Sequence, residues 1–252
     1  MRIAALYDIH GNLPALEAVL ADVQRAGVDR LVIGGDIVVG PMTREALALA
    51  RAVDLPVEFI YGNCEVAVLD QLTGRTPKRR WVADKYLPMF EWTAEQHRAD
   101  RDVLASWPLT RRLHVPGVGN VLFCHATPRN EDEAFLETTA EEKIRPLFEG
   151  LGAAVVVCGH THMQFDRMVG ETRVVNAGSV GMPFGEPGAY WLRLGPDVEL
   201  RRTEYDLEAA ARRIRATPYP AAEEFAATNV LRPPTEQQML DVFSKVELDA
   251  RT

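Results

Sequence analysis

Five short segments carry residue types that bind metal ions: Asp8-Ile9-His10, Gly35-Asp36, Gly62-Asn63, His125 and Gly159-His160-Thr161-His162. Carboxylate oxygen together with neutral imidazole suits Mn, Fe, Zn, Co or Ni. An aspartate can bridge two ions through its two oxygens. Asparagine adds an oxygen ligand without adding charge, and an aspartate and a histidine two apart at a strand end can turn into one ion. Seven such donors exceed what one ordinary ion needs. The expectation is therefore two divalent transition-metal ions, manganese first, with Fe, Zn, Ni or Co as the other candidates. Two ions about 3.5–4 Å apart can share a water and lower its pKa, which supplies hydroxide for hydrolysis near neutral pH.

Each segment alone has a plainer reading. Asp and His are common at strand ends as turn and cap residues. Gly-Gly-Asp and Gly-Asn are ordinary turn signals, and a lone His125 after a strand could be a hydrogen-bonded histidine. Gly-His-Thr-His is more specific in a chain with 6 histidines. The force lies in the set: every segment follows an apolar run that reads as a strand.

Those runs define the scaffold. Residues 2–7, 30–33, 57–61, 121–124 and 153–158 are apolar and each ends at one of the five segments. Helical spacing lies between the first three: Leu13, Leu16, Val19, Leu20 and Val23 follow Asn12, a cap residue, and a second helix is expected over 43–53. Alternating strands and helices predict a largely parallel sheet with crossovers. Ligands bind beyond the carboxyl ends of such strands, so the five segments should converge. Thr139 to Glu142 reads as a capping box opening a helix to Phe148. From Gln164 the pattern changes to hairpins turning at Gly170-Glu171 and at Gly195-Pro196-Asp197. Asp206 caps a helix to Arg215, and one or two more helices flank Pro233-Pro234. Residues 66–112 read as a mostly helical insertion, with bends at 73–77 and at Leu87-Pro88. Residues 206–252 read as a helical extension of a single domain.

The composition sets outer limits. The chain has 252 residues, 47% hydrophobic and 25% charged, an ordinary globular mix. No apolar run is long enough for a membrane span. The start, MRIAALYDIHGN, is too polar for a signal peptide, so a cytoplasmic location is expected. A net charge of -8 argues against binding long nucleic acid but leaves room for small nucleotides. Cys64, Cys124 and Cys158 show no pairing pattern and read as small buried residues. His97 and His114 read as packing or surface histidines, with His97 within possible reach of a substrate. Lys78-Arg79-Arg80 reads as a solvated face. Trp81, Trp92 and Trp107 read as a small helical core, with a homodimer through them as the alternative.

The order D-x-H, G-D, G-N, lone H and G-H-x-H resembles the calcineurin-like metallophosphoesterase superfamily, and most closely its small bacterial and archaeal YfcE-like branch. Asn176-Ala177-Gly178-Ser179-Val180-Gly181 resembles that branch's N-P-G-S-V-G, with Ala177 in place of proline. The resemblance covers roughly residues 1–65 and 113–195. It implies an α/β (α+β) four-layer αββα sandwich. It implies that Asp8, His10 and His162 hold one metal, that Asn63, His125 and His160 hold the other, and that Asp36 bridges them. It implies hydrolysis of a small phosphate mono- or diester, with Asp36, Asn63 and His125 catalytic and Cys64 and Asn63 touching substrate. Ser179 lacks an evident base and reads as structural. Two other readings remain open: a catalytically silent scaffold, and a regulatory protein that only binds nucleotide.

Overall fold

The computed structural model describes residues 1–75 and 86–248. Lys78-Arg79-Arg80, Trp81 and the end of the expected 73–77 bend lie outside the described residues.

Two five-stranded sheets form the centre. The first contains β1 (Ile3–Leu6), β2 (Arg30–Ile33), β3 (Val57–Phe59), β9 (Ala189–Leu194) and β10 (Val198–Thr203), in the order β10-β9-β1-β2-β3. The second contains β4 (Thr110–Val115), β5 (Gly119–Cys124), β6 (Val155–Cys158), β7 (Phe165–Val169) and β8 (Thr172–Asn176), in the order β4-β5-β6-β8-β7. The neighbours β1, β2 and β3 run parallel, as do β5, β6 and β8. The hairpin strands and the edge strand β4 pair antiparallel.

Strand alternation sorts the apolar residues into layers. Ile3, Ala5 and Tyr7 point inward with Phe123, Val157 and Leu192, forming the core between the sheets. Ala4 and Leu6 point outward, with Leu31 and Ile33, onto α1 (Leu13–Arg25) and α2 (Thr43–Ala52). Leu122, Val156 and Val174 point outward from the second sheet onto α6 (Glu141–Phe148). Because side chains alternate faces along a strand, these buried runs serve two cores at once. The result is the four-layer αββα sandwich.

Residues 66–112 hold most of α3 (Asn63–Leu72), then α4 (Leu87–Gln96), a 3-10 turn at Arg98–Asp100 and α5 (Arg101–Ala105). Their last part is not helical. Thr110–Val115 forms β4, paired from Thr110↔Cys124 to Val115↔Gly119. Arg111 and Arg112, on opposite faces of this edge strand, are both exposed, which hid the strand in the sequence; charged residues are typical of such edges. Trp107 stacks on Phe59 with ring centroids 4.8 Å apart, and Trp92 meets Tyr219 edge-on at 5.2 Å. Both rings pack within the chain.

The expected capping box at Thr139 does not form. Helix α6 starts one residue past Ala140, and Thr139 Oγ1 accepts from Leu136 N and donates to Glu247 Oε1. The C-terminal segment holds α7 (Leu207–Arg215), α8 (Ala222–Phe225), a π-helical segment (Ala226–Leu231) and α9 (Glu236–Phe243) beyond Pro233-Pro234. Among the described residues, no helix is long and apolar enough to cross a membrane.

Candidate metal centre

Parallel strands place their carboxyl ends on one side, so five loops meet there. β1 delivers Asp8 and His10, β2 delivers Asp36, and β3 leads to Asn63 at the first turn of α3. β5 delivers His125, and β6 delivers His160 and His162. Five of these residues hold a left-handed backbone: Asp8 (φ 53°), His10 (46°), Asp36 (53°), His160 (65°) and His162 (60°). Each such residue costs roughly 1–3 kcal/mol and persists only where its surroundings over-determine it. Bonds between the loops do so here: Asp8 N to Gly35 O (3.2 Å), His10 N to Asp36 O (2.9 Å) and Gly159 N to His125 O (2.8 Å). Ser179 Oγ donates to Asp8 O at 2.7 Å and accepts from Met182 N at 2.8 Å, a structural role. Ala177 N donates to Cys158 O at 2.8 Å, a bond that proline at this position would lack.

The functional atoms lie close together and buried. His162 Nε2 is 3.3 Å from His10 Nε2 and 3.3 Å from Asp8 Oδ1. His125 Nε2 is 2.9 Å from Asn63 Oδ1, 3.6 Å from Asp36 Oδ1 and 3.8 Å from Asp8 Oδ1. His10 Nε2 is 3.9 Å from Asp36 Oδ2. The His160 ring meets the His125 ring edge-on at 5.2 Å, and its backbone N donates to Asp8 Oδ2 at 2.9 Å. At Gly62, a Cβ would meet Asp36 Oδ1 at 2.2 Å. Only glycine permits that approach.

The donor set fits divalent cations. His162 Nδ1 faces Met182 O at 2.7 Å, and His125 Nδ1 faces Gly34 O at 2.9 Å. Each Nδ1 must carry the proton, so each neutral ring turns an Nε2 lone pair into the cluster. There the lone pairs meet oxygens that also only accept. Asp8 Oδ1 is buried and has no hydrogen-bond partner among the described residues. A bond to it from His162 would require that ring to be doubly protonated. Three groups, Asp8/His10/His162, His10/Asp36/Cys64 and Asp8/Asp36/His125, each bring their ligand atoms within 4.8 Å of one another.

Burial and charge shape the ionisation. Burial lowers His10 to about 4 and His160 to about 3, against the pull of Asp36, which keeps both neutral as ligands require. Burial alone would raise Asp8, but the His162 and His125 rings beside it hold the carboxyl below the usual range. Burial would lower His125, but Asp36, Asp8 and the Gly34 carbonyl raise it. The two carboxylates thus draw positive charge to the His125 ring, and a cation bound there would supply it in place of the proton.

Glu65 was not singled out from the sequence. It is fully buried, and its carboxylate accepts four backbone N–H bonds. Oε2 takes Asp36 N (2.8 Å) and Gly62 N (2.7 Å); Oε1 takes Ile37 N (3.0 Å) and Val38 N (3.2 Å). It thereby ties together the turns that carry Asp36 and Asn63. Its position three residues after Gly62, at the start of a helix, was the available signal. Cys64 N donates to Asp36 Oδ1 at 2.8 Å, and Cys64 lines the cavity above the cluster. Cys124 and Cys158 point their thiols at backbone carbonyls. His97 is buried between Thr43 Oγ1 (2.8 Å) and Asp100 Oδ2 (3.0 Å) and does not line that cavity, so it is a packing histidine. His114 is exposed beside Asn120.

A two-sheet αββα sandwich with this cluster at its strand ends defines a class of α/β protein built around a candidate metal site. The model of the calcineurin-like phosphoesterase superfamily domain matches residues 1–194, and the chain belongs to that superfamily. The chain is 28% identical over 234 residues to an uncharacterized protein of Methanocaldococcus jannaschii, covering 84% of this chain and 91% of that one. It is similar to a metallophosphoesterase from Sphaerobacter thermophilus, with 27% identity, a TM-score of 0.70, and coverage of 91% and 99%. A hypothetical protein, PH1004, from Pyrococcus horikoshii OT3 shares the fold, with 20% identity, a TM-score of 0.77, and coverage of 93% and 99%. Family and neighbours support a metal-dependent phosphoesterase as the general class of activity.

Proposed function

We propose that this protein hydrolyses small phosphate esters with a two-metal centre. Asp8, His10 and His162 would hold one ion; Asn63, His125 and His160 the other; Asp36 would serve both. Bound divalent cations would supply Lewis acidity and an acidified water as nucleophile near neutral pH. The chain's own residues do the rest. The Glu65 carboxylate, accepting from Asp36 N and Gly62 N, fixes the spacing of the turns that carry Asp36 and Asn63. The Gly34 and Met182 carbonyls orient His125 and His162, as partners of metal-bound histidines do.

One observation carries the reading: Asp8 Oδ1 is buried without a hydrogen-bond partner among the described residues while two histidine Nε2 atoms face it at 3.3 and 3.8 Å. A buried acceptor left unpaired is costly, and a cation resolves it. Loading the protein with manganese and assaying aryl phosphate mono- and diesters tests the proposal. Release of phosphate or alcohol that stops on chelation supports it. Tight ester or nucleotide binding without turnover would favour the silent scaffold or the regulatory binder.

A further inference from the structure

One cavity joins the candidate metal centre to the C-terminal segment. Its floor includes His10, Asp36, Asn63, His160 and His162. Its walls come from elsewhere: Tyr86 and Met89 near the start of α4, Tyr219 and Phe225 around α8, and Phe243 of α9. Tyr219, Phe225 and Phe243 lie beyond residue 194, where the family match ends. The family fold supplies the floor, and this chain's tail supplies much of the wall. The volume of about 340 Å³ suits a small-molecule site.

The tail holds that wall in place. Tyr219 is buried between Trp92 and Phe225, with ring centroids at 5.2 and 6.4 Å. Helix α9 is tied at both ends, by Gly185 N to Pro234 O and by Leu248 N to Ala134 O, both 2.8 Å. A capping box at Thr235 fixes its first turn. Between these ties Phe243 lies 6.5 Å from the His160 ring and 6.3 Å from Phe184, which stacks on His162 at 5.1 Å. No residue of α9 is fully buried. Its apolar stripe of Met239, Leu240 and Phe243 is only partly covered, by Leu136, Met163 and Phe184. The π-helical segment adds Thr228 and Asn229 to the cavity lining. Such segments are rare and concentrate at functional sites.

The two ends of the cavity differ in chemistry. The floor suits an anion held on cations. The wall offers aromatic faces and edges, which favour another ring through offset or edge-on contacts, and methionine thioethers that also favour rings. A short alkyl group cannot make those contacts. We propose that the substrate is a phosphate ester of an aromatic or heteroaromatic group, with the ring seated against Tyr86, Tyr219, Phe225 and Phe243. The phosphate half of this assignment rests on the proposed phosphoesterase function; the ring half rests on the wall alone.

Calorimetric titration of the manganese-loaded protein with phenylphosphonate and methylphosphonate separates the halves, because the two share a headgroup that is not hydrolysed. Phenylphosphonate should bind at least about tenfold more tightly. Tyr86→Leu and Phe243→Leu should each erode that preference by about threefold or more. Val242→Ala, at an exposed neighbour of Phe243, should leave it intact. Equal affinity for the two phosphonates, or binding of neither, overturns the proposal even if esters are turned over. A ring preference in a protein that turns over no ester supports the pocket and removes the phosphoesterase reading. Should a variant fail to fold, the comparison on the unmodified protein still decides.

Discussion

Glu65→Gln should weaken the fold more than any surface change. Glutamine keeps one oxygen, so it can keep one pair of the backbone bonds, either Asp36 N with Gly62 N or Ile37 N with Val38 N. Its amide nitrogen then faces the other two N–H groups as a donor against donors, in a site with no solvent access. Burial, then Asp36, pushes the Glu65 carboxyl up to about 7, so the comparison belongs at about pH 8. There, hydrogen bonds to the charged acceptor contribute about 1.5–3 kcal/mol each, and losing two costs on the order of 3–5 kcal/mol after partial relaxation. At about 2–4 °C per kcal/mol for a chain this size, Tm should fall by roughly 6–20 °C. The assay is thermal unfolding by circular dichroism in chelator, which keeps bound metal out of the comparison. Glu65→Asp retains the acceptors on a shorter stem and should fall between the two. A Tm shift for Glu65→Gln under about 2 °C would refute the clamp.

Asp36→Asn should lower turnover by more than about 100-fold, because one substitution disturbs both proposed ions, while His114→Ala, at an exposed site, should change it little; similar losses in the two would show the ligand assignment to be wrong. Burial, then Asp36, pushes the Cys64 thiol well above its ordinary value, so it is a poor proton donor to a leaving group at neutral pH. The enzyme should therefore favour acidic leaving groups, and Cys64→His should flatten the plot of log rate against leaving-group pKa, with metal content checked; an equally shallow plot for the unmodified protein would show that another acid serves. Burial lowers His97 below its usual 6.5, so the unfolded chain takes up that proton first. Stability from its neutral form is complete above the unfolded pKa and is lost as pH falls toward the folded one. Urea unfolding should thus show a smaller loss between roughly pH 7 and pH 5 for His97→Gln than for the unmodified protein, and equal losses would contradict this.

The sequence showed the strands that matter most. β1, β2 and β6 are buried on both faces, so their apolar runs stand out and end where the polar cluster begins. β4 was hidden because an edge strand, exposed at both Arg111 and Arg112, carries arginine where a buried strand carries valine. Thr139 misled because its hydroxyl finds Glu247, more than a hundred residues away, instead of a helix start. The seven candidate ligands were legible from residue type and strand-end position. Glu65 was not, because three of its four partners are backbone amides distant in sequence, and only the bond to Gly62, three residues back, left a signal. The wall of the cavity was illegible for a related reason: Tyr86, Tyr219 and Phe243 form no motif, and only folding brings them over the site.

The number of ions bound at saturation tests the central claim most directly. Elemental analysis of protein loaded with excess manganese and freed of unbound metal should give about two ions per chain, as the Asp36-bridged centre requires. Asp36→Asn should lower that number and His114→Ala should not. Saturation at one ion in the unmodified protein, or metal uptake insensitive to Asp36, would contradict the account.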